Sequence, residues 1–534
     1  MLLRFARFLG ANLALHPLLL PEGVGTGSLN QKPGRGDLRP WNDPLDVATV
    51  SGGANTIYRM GRSAPSDSTY WLVWSALVDV ARGFIADDTA ERTFWTGDGA
   101  PKWTDTSIGL GAPPYPDSAG VRLLGVPKPN ANPTLSQIAA GTGDDEARAY
   151  VVTWVNDRGE ESMPSGAPTI TCKPGATIRV TRNATIPGGT YGVTKWRIYR
   201  TIAGAENDYY FVAEAVAATA FVDTGDGVNT ASPLLSETWA MPPSSLSMLK
   251  GLWNGMLVGV DGKALRFCEP FLPFAWPSAY RLPVDDTIVA LARWRQNLIV
   301  LTTGQPYIVT GSSPGAMSMQ PLEMNQSCVA RRGVVEFGHG IVWPSPDGLA
   351  YIGDGGARVL TAGIIHREEW QALAPSTLIA GEHEGLYLAS YDAGGRKTLY
   401  IDPTAPAGLY FGTAAFKGCH YDPIMDALYV LNGTKVQRWD AGATKMSASW
   451  TSGLQRLPKP SNLAWCQVIA DTYPVTLSIW ADGVLRVNAK SVASRAAFRL
   501  PSGFLAEQWR ASVTTTGAVQ AVLMAQSIDE LNEA

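Results

Sequence analysis

Short apolar segments separated by tight turns dominate the chain from residue 245 onward. They begin near Leu249, Val289, Val334, Leu378, Phe416 and Val468, at intervals of 38 to 52 residues. Asn-Gly or Asp-Gly pairs interrupt them at 254–255, 261–262, 347–348, 432–433 and 482–483. Such pairs favour the type I′ hairpin turn, which needs positive φ at both central positions. The spacing is typical of a four-stranded β-propeller blade, with a stacked β-sandwich as the structural alternative.

The N-terminal part shows the same pattern of strands and turns. Apolar and aromatic stretches at 70–74, 78–85 and 92–103 alternate with Gly-rich and acidic turns. A propeller often closes by pairing strands from both ends of its chain, because closure removes exposed sheet edges. We therefore predict that residues 1–122 complete a ring whose main part is residues 241–534, including a C-terminal closing segment.

The stretch between these two parts has a different character. A proline-marked linker at 124–133 precedes several short strands of alternating polarity, and Pro242-Pro243 ends the stretch. The strands are at 149–165, 177–182, 195–201, 209–215 and 219–225. This pattern predicts an immunoglobulin- or fibronectin-like β-sandwich over residues 123–240, inserted into the propeller. The fold class is thus all-β, and helical patterns occur only at 502–510 and 527–534.

Composition and charge agree with this fold and reduce the number of function classes that fit the chain. The 55 glycines and 37 prolines suit many tight turns, and the net charge of −4 comes without a basic patch. A domain that reads DNA sequence needs such a patch, whereas a wall along which DNA slides does not. No apolar run is long enough to span a bilayer, so we expect no membrane insertion.

The first twenty residues and the cysteines could each suggest a secreted protein. Residues 1–20 resemble a signal peptide, but His16 and Pro17 interrupt the apolar stretch and no small-residue cleavage site follows. We interpret them as mature sequence. The five cysteines are far apart and form no C-x-x-C pair, which indicates buried reduced thiols.

Histidine and carboxylate spacing does not define an active site. The five histidines include no H-E-x-x-H motif, and the segment 366–369 has one histidine beside two glutamates. Many propellers are glycosidases that use paired carboxylates, and Asp285-Asp286 or Glu368-Glu369 could be proposed. Acidic residues in turns are more commonly solvated or bonded to their own backbone.

Three further motifs have a structural interpretation. Residues 345–349 begin like the Asp-box turn of sialidases but lack its Thr-Trp ending. The glycines at 353–356 follow a strand and precede another, so they predict a turn instead of a phosphate-binding loop. Arg35-Gly36-Asp37 suits a turn in which Asp37 pairs with Arg39. We therefore predict no enzyme activity and no catalytic, cofactor-binding or metal-binding residues.

Several segments share their order along the chain with one family. They are NQKPGRGDLRPW (30–41), RGFIADDTAERTFWTGDGAPKWTD (82–105), TWVNDRGEESMPS (153–165), WRIYRT (196–201), and the segments 266–291, 329–352 and 524–534. Together they resemble the nozzle (tail tubular protein B-like) subunits of short-tailed bacteriophages. The resemblance implies a virion protein, assembled in the host cytoplasm as a ring of six subunits at the tail.

The resemblance also implies partners and a mechanism. The ring lies below portal and adaptor proteins, docks tail fibres or spikes on its outside, and holds and then conducts double-stranded DNA during ejection. Polar loops at 104–120, 134–147 and 392–397 are candidates for the gate. The alternative is a receptor-binding fibre or spike whose aromatic residues, 18 of them Trp, stack on host glycan. A hydrolase is a third hypothesis.

Overall fold

The computed structural model describes residues 1–60, 66–85, 88–202, 208–216, 218–225 and 227–532. Alternating apolar residues between frequent turns make nearly all of its regular structure β. The first 123 residues form β1 (Leu2–Phe5), β2 (Gly25–Leu29), β3 (Leu45–Thr49), β4 (Thr56–Arg59), β5 (Trp71–Trp74), β6 (Asp79–Arg82), β7 (Thr93–Thr96), β8 (Lys102–Thr104), α1 (Thr106–Gly109) and β9 (Arg122–Leu123).

Eight strands follow among the described residues of the insert. They are β10 (Thr134–Ala139), β11 (Glu146–Asn156), β12 (Thr169–Cys172), β13 (Thr177–Thr181), β14 (Val193–Thr201), β15 (Tyr209–Val216), β16 (Ala220–Asp223) and β17 (Asn229–Pro233). Short 3₁₀ turns occur along the whole chain, at Ser118–Gly120, Ser236–Thr238, Pro314–Ala316, Arg331–Gly333 and Pro375–Thr377.

The next two hundred residues contain nineteen strands and one helix. They are β18 (Ser247–Gly251), β19 (Leu257–Asp261), β20 (Ala264–Phe267), β21 (Arg281–Pro283), β22 (Ile288–Trp294), β23 (Asn297–Thr302), β24 (Tyr307–Thr310), β25 (Ser318–Pro321), β26 (Val335–Phe337), β27 (Gly340–Ser345), β28 (Gly348–Gly353), β29 (Gly356–Val359), α2 (Arg367–Ala372), β30 (Ile379–His383), β31 (Leu386–Asp392), β32 (Arg396–Ile401), β33 (Tyr410–Gly412), β34 (Gly418–Asp422), β35 (Ala427–Asn432) and β36 (Lys435–Arg438).

The last part of the chain forms β37 (Ala448–Ser452), β38 (Gln455–Ser461), β39 (Trp465–Ala470), β40 (Val475–Ala481), β41 (Val484–Val492), β42 (Phe498–Arg499), β43 (Ala506–Thr515), β44 (Val519–Ala525) and α3 (Ile528–Asn532). The predicted helix at the C-terminus is confirmed by α3, and residues 533–534 lie outside the described residues. The predicted helix at 502–510 is wrong. Residues 506–510 belong to strand β43, in which alternate residues are buried from Trp509 onward, the period of a strand.

Seven small antiparallel sheets form a ring, and the predicted all-β propeller is confirmed. Blade 1 is β4–β5, blade 2 is β6–β9, and blades 3, 4, 5 and 6 are β18–β21, β22–β25, β26–β29 and β30–β33. Blade 7 is β34–β36 with β3. The first strands of blades 2 to 7 contact one another in succession, and β34 contacts β4 of blade 1. Trp74 and Trp95, with ring centroids 5.5 Å apart, join blades 1 and 2.

The N-terminal part closes the ring, as predicted. Strand β3 pairs antiparallel with β36, from Leu45 opposite Arg438 to Thr49 opposite Lys435. Blade 7 therefore takes its outermost strand from the start of the chain. All five predicted Asn-Gly and Asp-Gly turns connect adjacent antiparallel strands, at 254–255, 261–262, 347–348, 432–433 and 482–483.

The insert is a β-sandwich between blades 2 and 3, as predicted. One sheet has the order β10-β13-β16 and the other the order β12-β11-β14-β15-β17. Trp154 and Trp196 are buried between them. The hydroxyl of Tyr150 donates to Asp223 over 2.7 Å, and Asp223 also pairs with Arg200. This buried polar group links the two sheets.

A second β-sandwich, which the sequence prediction missed, occupies the C-terminal part. Its sheets are β1-β44-β39-β42 and β2-β37-β43-β40-β41, with β38 beside β43. Their shared core includes Phe5, Trp450 and Trp509. The prediction assigned all of 241–534 to the propeller, yet the segment beginning near Val468 is β39 of this sandwich. Hairpins of a blade and of a sandwich have the same alternation and turn chemistry, so the period alone does not separate them.

One strand joins this sandwich to the propeller. Strand β2 pairs antiparallel with β37 of the sandwich and meets β33 of blade 6 in parallel, with Leu29 opposite Phe411. Blade 6 and one sheet of the sandwich are therefore parts of a single ten-stranded sheet. Hydrogen bonding continues across the boundary between the two bodies.

Candidate interaction surfaces

The acidic pairs considered from the sequence lie in separate connections. Glu368 and Glu369 are exposed in the first turn of α2, which follows blade 5. Asp285 and Asp286 lie between blades 3 and 4. His366 contacts the carbonyl oxygen of Ala14 through Nε2 at 3.0 Å. The Arg35-Gly36-Asp37 motif contains the predicted pair, since Arg39 Nε lies 3.5 Å from Asp37 Oδ1.

The cysteines are spread over the propeller, the insert and the C-terminal sandwich, and none is in a disulfide. Cys172, Cys268, Cys328 and Cys466 are buried, and Cys419 is half-buried on β34. Burial raises the pKa of the Cys268 thiol to about 12 and that of Cys419 to about 11. The thiols are therefore protonated and poorly nucleophilic at neutral pH.

Within the described part of the chain, one group of side chains has the spacing of metal ligands. His383, Glu384 and Asp440 place ligand atoms within 4.8 Å of one another. Lys32 Nζ lies among them, 2.8 Å from Glu384 Oε2 and 2.6 Å from Asp440 Oδ2. It is also 4.9 Å from the ring centre of Trp41. Lys32 thus supplies the positive charge that such a group attracts.

Burial and ion pairing act oppositely on this lysine. Burial alone would lower the Lys32 pKa, but the hydrogen bonds and charges of Asp440 and Glu384 outweigh burial and raise it. Sequence reasoning missed the group because Lys32 is about 350 to 400 residues away from its partners along the chain. Only closure of blade 7 by the N-terminal part brings them together.

An apolar loop at residues 12–20, here named the leucine loop, lies on the surface. Leu13, Leu15, Leu18 and Leu19 are exposed, and Leu19 keeps 70% of its accessible area. Monomeric proteins rarely cluster large apolar side chains in water, and such clusters mark interaction sites. The run Leu-Ala-Leu-His-Pro-Leu-Leu-Leu is visible in the sequence, where its resemblance to a signal peptide hides its role as an exposed loop.

Hydrogen bonds hold the leucine loop in place. Asn12 Oδ1 accepts from the backbone N–H groups of Ala14 and Leu15 at 3.0 and 2.9 Å. The Asn12 side-chain amide donates to Gly363 O over 2.8 Å, in the connection after blade 5. The N–H of Leu454, in the C-terminal sandwich, donates to Pro17 O over 2.9 Å. The exposed leucines therefore stand on a fixed support at the junction of the propeller and this sandwich.

A cleft of about 890 Å³ separates the insert from blades 2 and 3. Phe271 lies at its edge, 58% exposed, with its ring 5.8 Å from that of Phe84. Its φ is +62°, a conformation that costs a bulky residue roughly 1–2 kcal/mol. The N–H of Phe271 donates to Gly255 O over 2.8 Å, which fixes this backbone. Exposed aromatic residues on strained backbone often belong to ligand clamps.

Most of the charged side chains in this cleft are paired. Arg92 pairs with Glu160, and Arg197 lies 2.7 Å from Glu161 and 3.0 Å from Glu214. These pairs connect the insert to blade 2 and strand β14 to its neighbours. A ligand of the cleft would therefore meet aromatic faces and mostly neutralised charges, which favours an uncharged or apolar group.

A second cavity, of about 370 Å³, lies on the axis of the propeller. Residues from the first strands of six blades line it, together with the turn Arg331–Gly333. His420 lies in this wall, and burial lowers its pKa to about 4. The imidazole is therefore neutral at neutral pH.

The three loops proposed as gate candidates differ in structure. Residues 134–139 form strand β10 and residues 146–147 begin strand β11, so the expectation of a loop at 134–147 holds only for residues 140–145. The start of 104–120 is packed against the insert, because buried Asp105 pairs with Arg158. Residues 392–395 are exposed at the tip of the hairpin between β31 and β32.

Comparisons with known proteins assign the chain to no family. No family model and no curated protein matches the chain. Among solved structures, BamB from Moraxella catarrhalis is 9% identical, with 58% of this chain and 97% of that chain covered and a TM-score of 0.25. YCF48 bound to D1 peptide is 11% identical over 59% and 97% of the two chains, with a TM-score of 0.26. The N-terminal domain of Nup159 is 9% identical over 60% and 86%, with a TM-score of 0.24.

TM-scores of this size carry no functional argument, and the propeller assignment rests on the seven sheets themselves. In the described ranges, no helix combines the length and apolarity needed to cross a membrane.

Proposed function

We propose that the chain is a structural virion protein, the subunit of the nozzle ring at the tail of a short-tailed bacteriophage. The observation that carries this proposal is the leucine loop. Four exposed leucines on a fixed support indicate a protein partner, because their exposure to water is unfavourable. The partner we propose is a second copy of the chain, placed so that the loop meets a different surface of its neighbour.

A contact between two different surfaces is heterologous, and it generates a closed ring when the rotation between copies closes. The family resemblance of the sequence supplies the expected number of six and the neighbours. These are portal-side adaptor proteins above the ring, fibres or spikes outside it, and double-stranded DNA within it. The absence of a basic patch in the sequence agrees with a lumen that conducts DNA without holding it tightly.

Assembly can be tested by electron microscopy and native mass spectrometry of the purified protein and of virions. Leu18→Ser with Leu19→Ser should remove about 3 kcal/mol or more from each contact, which weakens association over a hundredfold. The matched control is Val484→Ser with Leu485→Ser, two exposed apolar residues of β41. We expect sixfold rings from the wild type and the control, and monomers from the loop variant.

Two results would count against the nozzle. Rings that persist in the loop variant would show that the leucine loop is not the subunit contact. Elongated trimers at the periphery of the virion would make the chain a fibre or spike.

The second candidate function, a receptor-binding fibre or spike that recognises host glycan, draws support from the cleft at Phe271. Its aromatic edge and neutralised charges suit stacking on an uncharged sugar. Binding to a glycan panel that is lost in Phe271→Ala would favour this candidate. No binding by either protein would argue against it.

A further inference from the structure

Arg332 is a cation without a carboxylate partner in the wall of the axial cavity. Its Nη1 donates to Asn55 O over 2.8 Å and lies 3.4 Å from Thr56 Oγ1. Among the residues that the structure describes, no carboxylate is within 4.0 Å of it. A guanidinium has five N–H donors, so most of those of Arg332 remain available at the cavity.

The other charges of the cavity wall are paired. Arg331 Nε lies 3.2 Å from Asp79 Oδ1, and Lys250 Nζ lies 2.7 Å from Glu336 Oε1. His420, the other basic residue of this wall, is neutral at neutral pH for the reason given above. The cavity therefore carries one uncompensated positive charge, on Arg332.

Keeping this positive charge in the axial cavity is unfavourable without an anionic partner. Burial lowers the pKa of Arg332, which means that the surroundings oppose its charged form. A buried charge is normally compensated by an opposite charge, because protein dipoles replace lost water incompletely. The two neutral acceptors at Asn55 and Thr56 supply only part of that compensation.

The turn that carries Arg332 is fixed from behind. The hydroxyl of buried Tyr387 donates to Gly333 O over 2.8 Å. A Cβ at Gly333 would lie 2.7 Å from the ring of Pro344, so the turn packs closely against blade 5. The guanidinium is therefore held in place before any ligand arrives, and preorganisation of this kind favours binding.

We propose that the axial cavity of the propeller is a binding site for a small oxyanion, a carboxylate or phosphate, held by Arg332. The planar guanidinium can donate two parallel hydrogen bonds to either group. The cavity of about 370 Å³ has room for such an anion and its water. The paired charges of Asp79 and Glu336 would confine the anion to the side of Arg332.

Isothermal titration calorimetry of the full chain tests the site with inorganic phosphate and with acetate, each at constant ionic strength in sodium chloride. We expect saturable binding of one or both probes to the wild type, and at least tenfold weaker binding to Arg332→Met. Arg367→Met is the matched control, since Arg367 is an exposed arginine paired with Asp347. It should bind as the wild type does.

A second variant is expected to change the affinity for the anion in the opposite direction. Asp79→Asn removes the carboxylate that neutralises Arg331, so the axial cavity gains a positive charge. It should therefore bind the same anion several-fold more tightly. This variant also decides the matter if circular dichroism shows that Arg332→Met is unfolded. Absence of saturable binding to the wild type, equal affinity in a folded Arg332→Met, or weaker binding by Asp79→Asn would overturn the proposal. Tighter binding by phosphate or by acetate would distinguish the two oxyanions.

Discussion

Replacing Lys32 by methionine would remove a cation that ties the N-terminal part to blades 6 and 7. Methionine keeps the length and much of the apolar stem of lysine, so packing on Trp41 should change little. Asp440, whose side chain is only 9% exposed, would lose a partner at 2.6 Å. Removing one member of a buried pair costs about 3–5 kcal/mol.

The lower end of that range is the better expectation for Lys32→Met. The lysine side chain is still 19% exposed, so water can reach the vacated position. Glu384, which is 56% exposed, adds at most about 1 kcal/mol. We therefore expect a loss of about 3 kcal/mol for Lys32→Met and less than about 1 kcal/mol for the control Glu384→Gln.

The pH dependence gives the same pair a second signature. The folded state raises the Lys32 pKa above the ordinary value of 10.5, so its contribution is complete below pH 10.5. That contribution is lost as the pH rises through the folded-state pKa. The wild type should lose stability there, whereas Lys32→Met should lack this part of the loss.

Hydrogen–deuterium exchange resolves the effect by region, which suits a chain with several bodies. Peptides covering 30–45 and 435–446 should exchange over a hundredfold faster in Lys32→Met, while peptides of the insert stay unchanged. Equal protection in Lys32→Met and the wild type would contradict the argument. So would an equal loss in Glu384→Gln, because the exposed pair would then matter as much as the buried one.

Three further predictions concern packing, a buried ion pair and the thiols. Gly120→Ala should destabilise the region around blades 1 and 2 by several kcal/mol because its Cβ would overlap the carbonyl of Ile108, whereas Gly52→Ala, which meets no atom within 4 Å, should be tolerated in thermal unfolding. Asp223→Ala should cost the insert about 3–5 kcal/mol, because buried Arg200 loses the carboxylate of Asp223, against about 1 kcal/mol for Tyr150→Phe in exchange measurements. The five cysteines should resist a thiol reagent in the native protein and all react in urea, and rapid native labelling would contradict their burial.

The propeller could be predicted because blade hairpins leave local signals in the sequence. Strands β18, β22, β26, β30 and β34 start within two residues of five predicted segment starts, counted from Leu249, Val289, Val334, Leu378 and Phe416. Each blade repeats one local unit, and several of the hairpin turns contain Asn-Gly or Asp-Gly. The sixth start, near Val468, fell in the C-terminal sandwich, where the same local rules operate on a different global arrangement.

The interaction surfaces could not be predicted in the same way. Arg332 stands out only when the pairing of Arg331 with Asp79, about 250 residues away, is known. Lys32 resembles any surface lysine until blade closure sets it against Asp440. Charge compensation is a property of three-dimensional neighbours, and a linear sequence with interspersed charges hides which charge is left over.

The shared use of the first fifty residues sets a time constraint on synthesis. Strand β1 can pair only after β44 is made, because Leu2 lies opposite Ala525. Strand β3 can pair only after β36 is made, because Leu45 lies opposite Arg438. At about 5–20 residues per second, the ribosome delivers the last of these partners roughly half a minute to two minutes after the first strands emerge. The propeller cannot close before β36 is made, and the C-terminal sandwich cannot close before β44 is made. A chain cut short before β36 would leave both the propeller and the C-terminal sandwich open, whereas one cut between β36 and β44 would leave only the sandwich open.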